Sequence, residues 1–401
     1  MRGLRFLLAA TAASVTGDGM LVAATPLAAA ALSRDPADIG VVAAASTAAW
    51  LLFGVPAGAL VDRWDLRRTM IVSDLVRFLS LAALGILVLA GRASISALSA
   101  TVFVVGIATC FFTPAGVALL RDIVGSSPAD LAVANGRFWS IDALGRSLVG
   151  PPLGAYAFGL SRALPFLVDA LSFGISALLL VFTPVPRRTV VSSGLGIADG
   201  LRFLWSRREL RALAFGAWAF NFAYATVFAP FVLYAQDRLG VGALGFGLLL
   251  ACGAAGSIVA GLLVPRLLAT RPALSVYSGV FIAQAVAWAA ILLVAQPIVA
   301  GLALALLGGA ATVGTVAGQA TRQLTTPVSL LGRVAAVHRI ASSGGGTLGA
   351  LAGGLIAASF GARAPFAVAI AFLVPCAVLS ARAAAHPATP TDHGRQTTSI
   401  R

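Results

Sequence analysis

Lysine is absent from this chain of 401 residues, and charge of either sign is scarce. Charged residues make up 10% against 59% hydrophobic, and the mean hydropathy is +0.96. A soluble domain averages about 25% charged residues, so a water-soluble core is excluded and the class is integral membrane. Acid is the scarcer sign: fourteen acidic residues face twenty-eight basic ones, a formal net charge of +14. In a soluble protein that excess would point to nucleic acid. In a chain this apolar it fits Arg gathered in cytoplasmic loops beside an anionic leaflet, so no nucleic-acid partner is expected. Cysteine is sparse too. Cys110, Cys252 and Cys376 stand far apart in apolar runs, which excludes a CxxC site, a metal cluster or a disulfide framework and leaves packing as their role. GxSxG, a P-loop Gly-Lys-Ser/Thr and HExxH are all missing. No enzyme, cofactor or metal is therefore expected, and primary transport would need a separate ATP-binding partner.

What the chain has is a succession of long apolar runs. Turn residues separate twelve of them, at 5–31, 39–61, 69–90, 95–120, 132–158, 164–182, 213–235, 243–268, 274–294, 298–320, 333–358 and 364–382. A helix rising about 1.5 Å per residue crosses ~30 Å of hydrocarbon with runs of this length. The first run follows Arg2 and Arg5 in the manner of a signal peptide, but its apolar character resumes after Asp18 and lasts to Leu32. A retained first helix is expected.

Charge gives an orientation. With the N-terminus in the cytoplasm, Arg2, Arg5, Arg63, Arg67, Arg68, Arg121, Arg187, Arg188, Arg202, Arg207, Arg208, Arg211, Arg266, Arg271, Arg322 and Arg333 fall inside, joined by Arg382, Arg395 and Arg401 of the tail. Only Arg34, Arg92, Arg162, Arg238 and Arg363 fall outside. That asymmetry predicts a multi-pass protein of the bacterial cytoplasmic membrane with both termini cytoplasmic. The longest polar interval divides six runs from six. The expected organisation is an N-terminal six-helix bundle (1–182), a cytoplasmic linker (183–212), a C-terminal six-helix bundle (213–382) and a disordered cytoplasmic tail (383–401). In the linker, Leu201, Leu204 and Trp205 recur at i, i+3 and i+4, which predicts a short amphipathic helix on the leaflet. The halves also resemble each other: Gly58-Ala59-Leu60-Val61-Asp62-Arg63 aligns with Gly261-Leu262-Leu263-Val264-Pro265-Arg266, Arg68 then meets Arg271, and Gly145 and Gly154 match Gly345 and Gly354.

One stretch organises the reading: Gly54-Val55-Pro56-Ala57-Gly58-Ala59-Leu60-Val61-Asp62-Arg63-Trp64-Asp65-Leu66-Arg67-Arg68. It ends one apolar run, delivers a burst of charge and leads at once into another run, so it must turn at a membrane surface. Its glycine, small residue, Asp-Arg and Arg pair resemble motif A of the major facilitator superfamily, although Asp65 stands where that family usually has Gly and Leu66 where Arg is common. The wider frame looks like the subgroup of exporters related to enterobactin and macrolide efflux proteins. The resemblance implies two pseudo-symmetric six-helix bundles that rock around a central cavity. It also implies a conformational latch of Gly58, Asp62, Arg63, Arg67, Arg68 and Asp122. In it Asp62 caps the cytoplasmic start of the eleventh helix near Leu330–Val334, and the motif's Arg pairs with Asp122 at the end of the fourth.

Asp18 lies in mid-run within Thr16-Gly17-Asp18-Gly19. An ionised carboxylate there is costly unless it pairs or protonates, and desolvation favours protonation, so it is the first candidate proton carrier. A structural polar contact is the alternative. Asp142 and Arg146 stand four apart on the fifth helix, either as an internal salt bridge or as a switch involving Asp169 on the sixth. Gly150, Pro151 and Gly154 resemble motif C of antiporters, with Arg146 and Ala155 departing from it. Asp74 and Arg77, at i, i+3, are expected to extend the Asp62–Arg63 network near the cytoplasmic end of the third helix. The motif B Arg is missing, since Val102 stands four residues before Gly106. Asn221, Tyr224, Gln284 and Gln319 are candidates to line the cavity, and His338 is a lesser candidate for proton coupling.

The expected function is proton-coupled efflux of a small hydrophobic or amphipathic compound (a drug, macrolide or siderophore-like metabolite) by a monomeric secondary transporter surrounded by lipid. An uptake carrier or uniporter of the same fold and a transport-dead sensor or scaffold remain as alternatives.

Overall fold

The computed structural model describes residues 2–125, 127–184, 197–270 and 273–385. Part of the interval between the halves (185–196, with Arg187 and Arg188), Arg271, and the tail from 386, with Arg395 and Arg401, lie outside the described residues. Among the described residues there is helix and no strand. In chain order the first half contains α1 (Arg2–Leu32), α2 (Pro36–Val61), α3 (Leu66–Leu89), α4 (Ile95–Val124), α5 (Pro128–Ala143), α6 (Gly150–Leu160) and α7 (Leu164–Val181). A short α8 (Ile197–Ser206) leads to the second half: α9 (Arg208–Phe228), α10 (Phe231–Asp237), α11 (Ala243–Thr270), α12 (Ala273–Leu293), α13 (Pro297–Thr325), α14 (Val328–Phe360) and α15 (Ala364–Ala385).

Among the described residues eleven stretches are long and apolar enough to cross a membrane, α9 and α10 counting together. The fifth crossing is made in pieces: α5, a π-helical turn over Leu144–Val149, then α6. Proline explains the break. Pro151 and Pro152 have no N–H to give the carbonyls of Ser147 and Leu148, so the ladder widens there instead of closing regular turns. With that passage the crossings number twelve, and both ends of the bundle return to one face. We call it the terminal face, and its opposite the distal face.

Helix starts follow local chemistry. Asp35 caps α2 by accepting from the Ala37 N–H at 2.9 Å, with Pro36 in the first turn. Asp65, the departure from motif A, caps α3 by accepting from the Arg68 N–H at 2.8 Å. In α8, Leu204 is buried while Leu201 and Trp205 point outward, so the three residues expected to share one face divide between protein and surroundings. The turn is anchored to the second half by Arg333 Nη1 donating to Asp199 Oδ2 at 2.9 Å.

Missing side chains bring backbones together. Gly345, Gly349 and Gly353 on α14 lie against the Trp218, Phe222 and Thr226 carbonyls of α9, one helical turn apart on both partners. A Cβ on Gly154 would fall 2.6 Å from Met20 Cα on α1. The repeat alignment holds only in part, because Gly354 packs on Gly40 of α2, across the halves, rather than on its own first helix.

The two halves meet along α2 with α14 and along α6 with α11, and the contact is tight toward the distal face. A Cβ on Gly40 would be 2.9 Å from Gly354 Cα, and one on Gly247 would be 2.7 Å from the Pro151 carbonyl. Arg34, in the distal turn after α1, donates to Gln236 Oε1 at 2.7 Å and pairs with Asp237 at the end of α10. Midway, Thr347 donates to Thr47 at 3.0 Å. Toward the terminal face the seam loosens: a Cβ on Gly58 would meet nothing within 4 Å. Among the described residues the seam is therefore closed distally and more open toward the terminal face.

Gly154→Val is expected to destabilise the purified protein by about 1–3 kcal/mol or prevent its accumulation, because the new methyls meet the α1 backbone. Gly159→Ala on the same helix, where a Cβ meets nothing, should be neutral or gain up to ~1 kcal/mol. Thermal unfolding of the two variants side by side checks this, and an undisturbed Gly154→Val protein would refute the packing.

Candidate functional site

On α1 the buried polar residues Thr11, Ser14 and Asp18 recur at i, i+3 and i+7, so they form one stripe facing the interior of the first half. Asp18 is 7% exposed and receives two guanidinium groups. Arg146, inside the π-helical turn, approaches with Nη2 2.9 Å from Oδ2, and Arg77 of α3 with Nη1 3.7 Å from Oδ1. The Arg146 contact is ionic rather than a well-directed hydrogen bond. Arg146 Nε also donates to Asp142 Oδ1 at 3.2 Å. Arg77 is fully buried, pairs with Asp74 on its own helix, and is held between the rings of Phe112 and Phe173 at 4.2 and 4.1 Å. Two aromatic faces compensate part of the lost hydration of that cation.

Asp169 of α7 completes the group. It is fully buried, accepts from Ser172 Oγ at 3.0 Å through Oδ1, and leaves Oδ2 without a partner. Gly17 makes this possible, because any side chain there would overlap the Asp169 carboxylate. The structure thus brings Asp18, Asp142, Arg146 and Asp169 together. Asp74 and Arg77 join them, correcting the expectation that this pair extends the surface network of Asp62 and Arg63. Arg77 stands eleven residues into α3, about 16 Å from its start, which is half a bilayer and a depth legible from the sequence. The assembly holds four carboxylates (Asp18, Asp74, Asp142, Asp169) and two guanidiniums (Arg77, Arg146). In low dielectric a fully ionised set of that composition is strongly unfavourable, so it is suited to taking up protons.

Gly150, Pro151 and Gly154 form the contact between three helices. Gly150 faces Gly19 and Gly154 faces Met20 on α1, while the Pro151 carbonyl faces Gly247 on α11. The corner residues are spread more widely. Asp62 ends α2, Arg67 Nη1 donates to the Thr183 carbonyl at 3.2 Å, and Asp122 lies in the last turn of α4. Arg63 and Arg68 border a groove of about 700 Å³ between α3 and α4, in which Trp64 stacks on Phe111.

A cavity of about 640 Å³ opens in the second half between α9, α12, α13 and α14. Asn221 and Gln319 line it, as do Arg322, His338 and Arg339, which lie in the terminal-face halves of their helices. Tyr224 and Gln284 do not, which corrects two of the four cavity candidates. Gln284 is fully buried and donates to the Phe220 carbonyl at 3.2 Å, and Tyr224 stacks on Phe228 with ring centroids 4.9 Å apart. Their amide and phenol are absorbed by packing between α9 and α12.

Residues 2–396 match the transmembrane secretion effector family. A multidrug efflux pump, Tap, of Mycolicibacterium fortuitum is 30% identical over 223 residues, 53% of this chain and 54% of the pump. Tap of Mycobacterium bovis BCG is 28% identical over 237 residues, 53% of each chain. The chain thus spans about half the length of the curated relatives it matches. Among solved structures, a bacterial homologue of the human lysosomal transporter Spinster superposes with a TM-score of 0.76 at 17% identity, covering 94% of this chain and 96% of that one. Likeness at that identity establishes the fold, twelve crossings in two bundles. This chain belongs to the transmembrane secretion effector family of the major facilitator superfamily, a family of multi-pass membrane transporters.

Proposed function

We propose that the chain exports a small hydrophobic or amphipathic compound across the bacterial cytoplasmic membrane in exchange for protons. The observation that carries this is the group around Asp18, in which Asp18, Asp74 and Asp142 share the guanidiniums of Arg77 and Arg146 with the carboxylate of Asp169 buried beside them. Its ionic ties join α1, α3 and the π-helical turn, so a proton added to Asp18 loosens Arg146. Asp142 and Arg146 bracket the start of that turn, the point where α5 can bend relative to α6. Because α6 is also the helix that packs on α11, a bend there changes how the halves meet. Charge state and rocking are coupled through one hinge.

The Arg asymmetry assigns the terminal face to the cytoplasm, so the open side receives solute from within. The relatives named as multidrug efflux pumps and the antiporter-like Gly150, Pro151 and Gly154 favour outward transport. On rocking, the space beside Gly58 would close against α14, letting Asp62 cap that helix and Arg63 meet Asp122 as the latch of the outward-open state. The distal bridge of Arg34 to Asp237 would then open.

In everted membrane vesicles energised by a pH gradient, Asp18→Asn should lower proton-driven accumulation of a lipophilic, non-cationic fluorescent probe at least about tenfold. Full-speed pumping by that variant would remove proton coupling from Asp18. Stability separates the members of the group by burial. Asp74→Ala leaves the fully buried Arg77 with only its longer contact to Asp18 and should cost about 3–5 kcal/mol, whereas Asp142→Asn, at a site 24% exposed, should cost about 1 kcal/mol or less. Thermal melts of the purified variants read that order directly, and equal losses would contradict it.

A further inference from the structure

The second half carries positive charge that its own bundle does not balance. Arg322 in the last turn of α13 and Arg339 in α14 both line the 640 Å³ cavity, with His338 between them in sequence on the α14 wall. No carboxylate lines it. Between residues 213 and 385 the one acidic residue is Asp237, at the distal end of α10 and already paired with Arg34. Among the described residues neither Arg322 nor Arg339 forms an ion pair. Arg322 Nη1 is buried without a hydrogen-bond partner, and so is Nδ1 of His338.

The negative end of the α13 dipole compensates Arg322 only in part, since half an elementary charge shared among carbonyls does not replace a counter-ion. Arg339 lies over Trp50 of α2 at 6.0 Å from the ring centroid, which brings a second cation to the seam between the halves. Arg322 is half-buried and Arg339 exposed, so the cost falls on the buried, unpartnered Nη1 of Arg322, and a ligand that supplies an anion there recovers it.

We propose that this cavity is an anion subsite. It takes the carboxylate, sulfonate or phosphate of an amphipathic molecule, with Arg322 as the principal contact and Arg339 closing from the α2 side. Phe220, Val280 and Ala335 give the apolar body of the molecule a wall to lie on. Guanidinium suits this task because its planar fork pairs with two oxygens at once. The substrate class of the exporter thereby narrows to amphiphiles with a negative head. The inference rests on the transport reading only in taking the open face as the loading side.

Purified full-length protein in detergent is titrated with 11-(dansylamino)undecanoic acid and with its primary amide, which differ only in head charge. The wild type is expected to bind the acid at least about tenfold more tightly than the amide. Arg322→Gln should erase that preference while leaving amide affinity within about twofold, and Arg322→Lys should retain part of it. Equal affinity of the wild type for acid and amide overturns the subsite, as does a preference that survives Arg322→Gln. Should the glutamine variant fail to fold, Arg322→Lys carries the test: an acid affinity unchanged from wild type then overturns Arg322 as the fork. Repeating the titration in phosphatidylcholine and phosphatidylglycerol nanodiscs separates the sources. Competition by phosphatidylglycerol in the wild type makes a lipid headgroup the occupant, and its absence makes the occupant a soluble amphiphile; either result keeps the anion subsite. Binding is read at equilibrium without a gradient, so a failure of proton coupling leaves this outcome untouched.

Discussion

The contact between the Asp18 carboxylate and two guanidiniums, from α3 and from the π-helical turn, sets the terms for the first bundle. Each of these charges would be prohibitive alone at that depth, and each is tolerable only because the others are within a few ångströms. The helices are therefore not free to choose their neighbours. α1 must present the face of Thr11, Ser14 and Asp18 inward, α3 must turn Arg77 between Phe112 and Phe173, and α7 must bring Asp169 up to Gly17. In lipid, where burying apolar area gives little reason for one helix to prefer another, such polar ties and close glycine contacts supply the specificity.

The same group explains why the fifth crossing is not a continuous helix. Two consecutive prolines already deny the ladder its N–H groups, and the turn relaxes into a wider one where Arg146 can swing toward α1 while still holding Asp142. Immediately beyond, Gly150 and Gly154 let α6 lie against the α1 backbone, and the Pro151 carbonyl meets Gly247 of the other half. A flexible point, a charge switch and an inter-bundle contact thus occupy one short segment. That proximity is what an alternating-access device requires, since a small local change must move a whole bundle.

Most of the architecture was legible in the residues, because the bilayer imposes run length. The twelve crossings follow the twelve apolar runs, and Asp18, Asp142, Arg146 and Asp169, singled out separately as charges inside those runs, lie in one group. What escaped was phase and depth together. Asp74 and Arg77 form the intrahelical pair expected of them. They read as extending the Asp62 and Arg63 network because they follow the charged corner, although eleven residues of helix carry Arg77 to the middle of the membrane. Tyr224 and Gln284 read as cavity residues because they are polar, but their rotation about the helix axis turns them into the packing between α9 and α12. With almost every position apolar, the sequence contains too little contrast to give a helix its rotation.

The division of charge between the halves has a mechanical consequence. Carboxylates outnumber guanidiniums in the interior of the first bundle, whereas the second bundle's cavity holds Arg322 and Arg339 with no acid beside them. On the readings proposed above, one half loses negative charge by taking protons, and the other loses positive charge by taking an anion. Both changes lower the cost of bringing the bundles into a closed, water-poor arrangement, because each removes an uncompensated charge that solvent would otherwise have to screen. On that reading each ligand eases closure on its own, so protons can carry the bundles one way and the anion can carry them back. A transporter with that bias resists rocking when both sites are empty and passes with either ligand alone, which is the condition for exchanging them without any direct contact between Asp18 and Arg322.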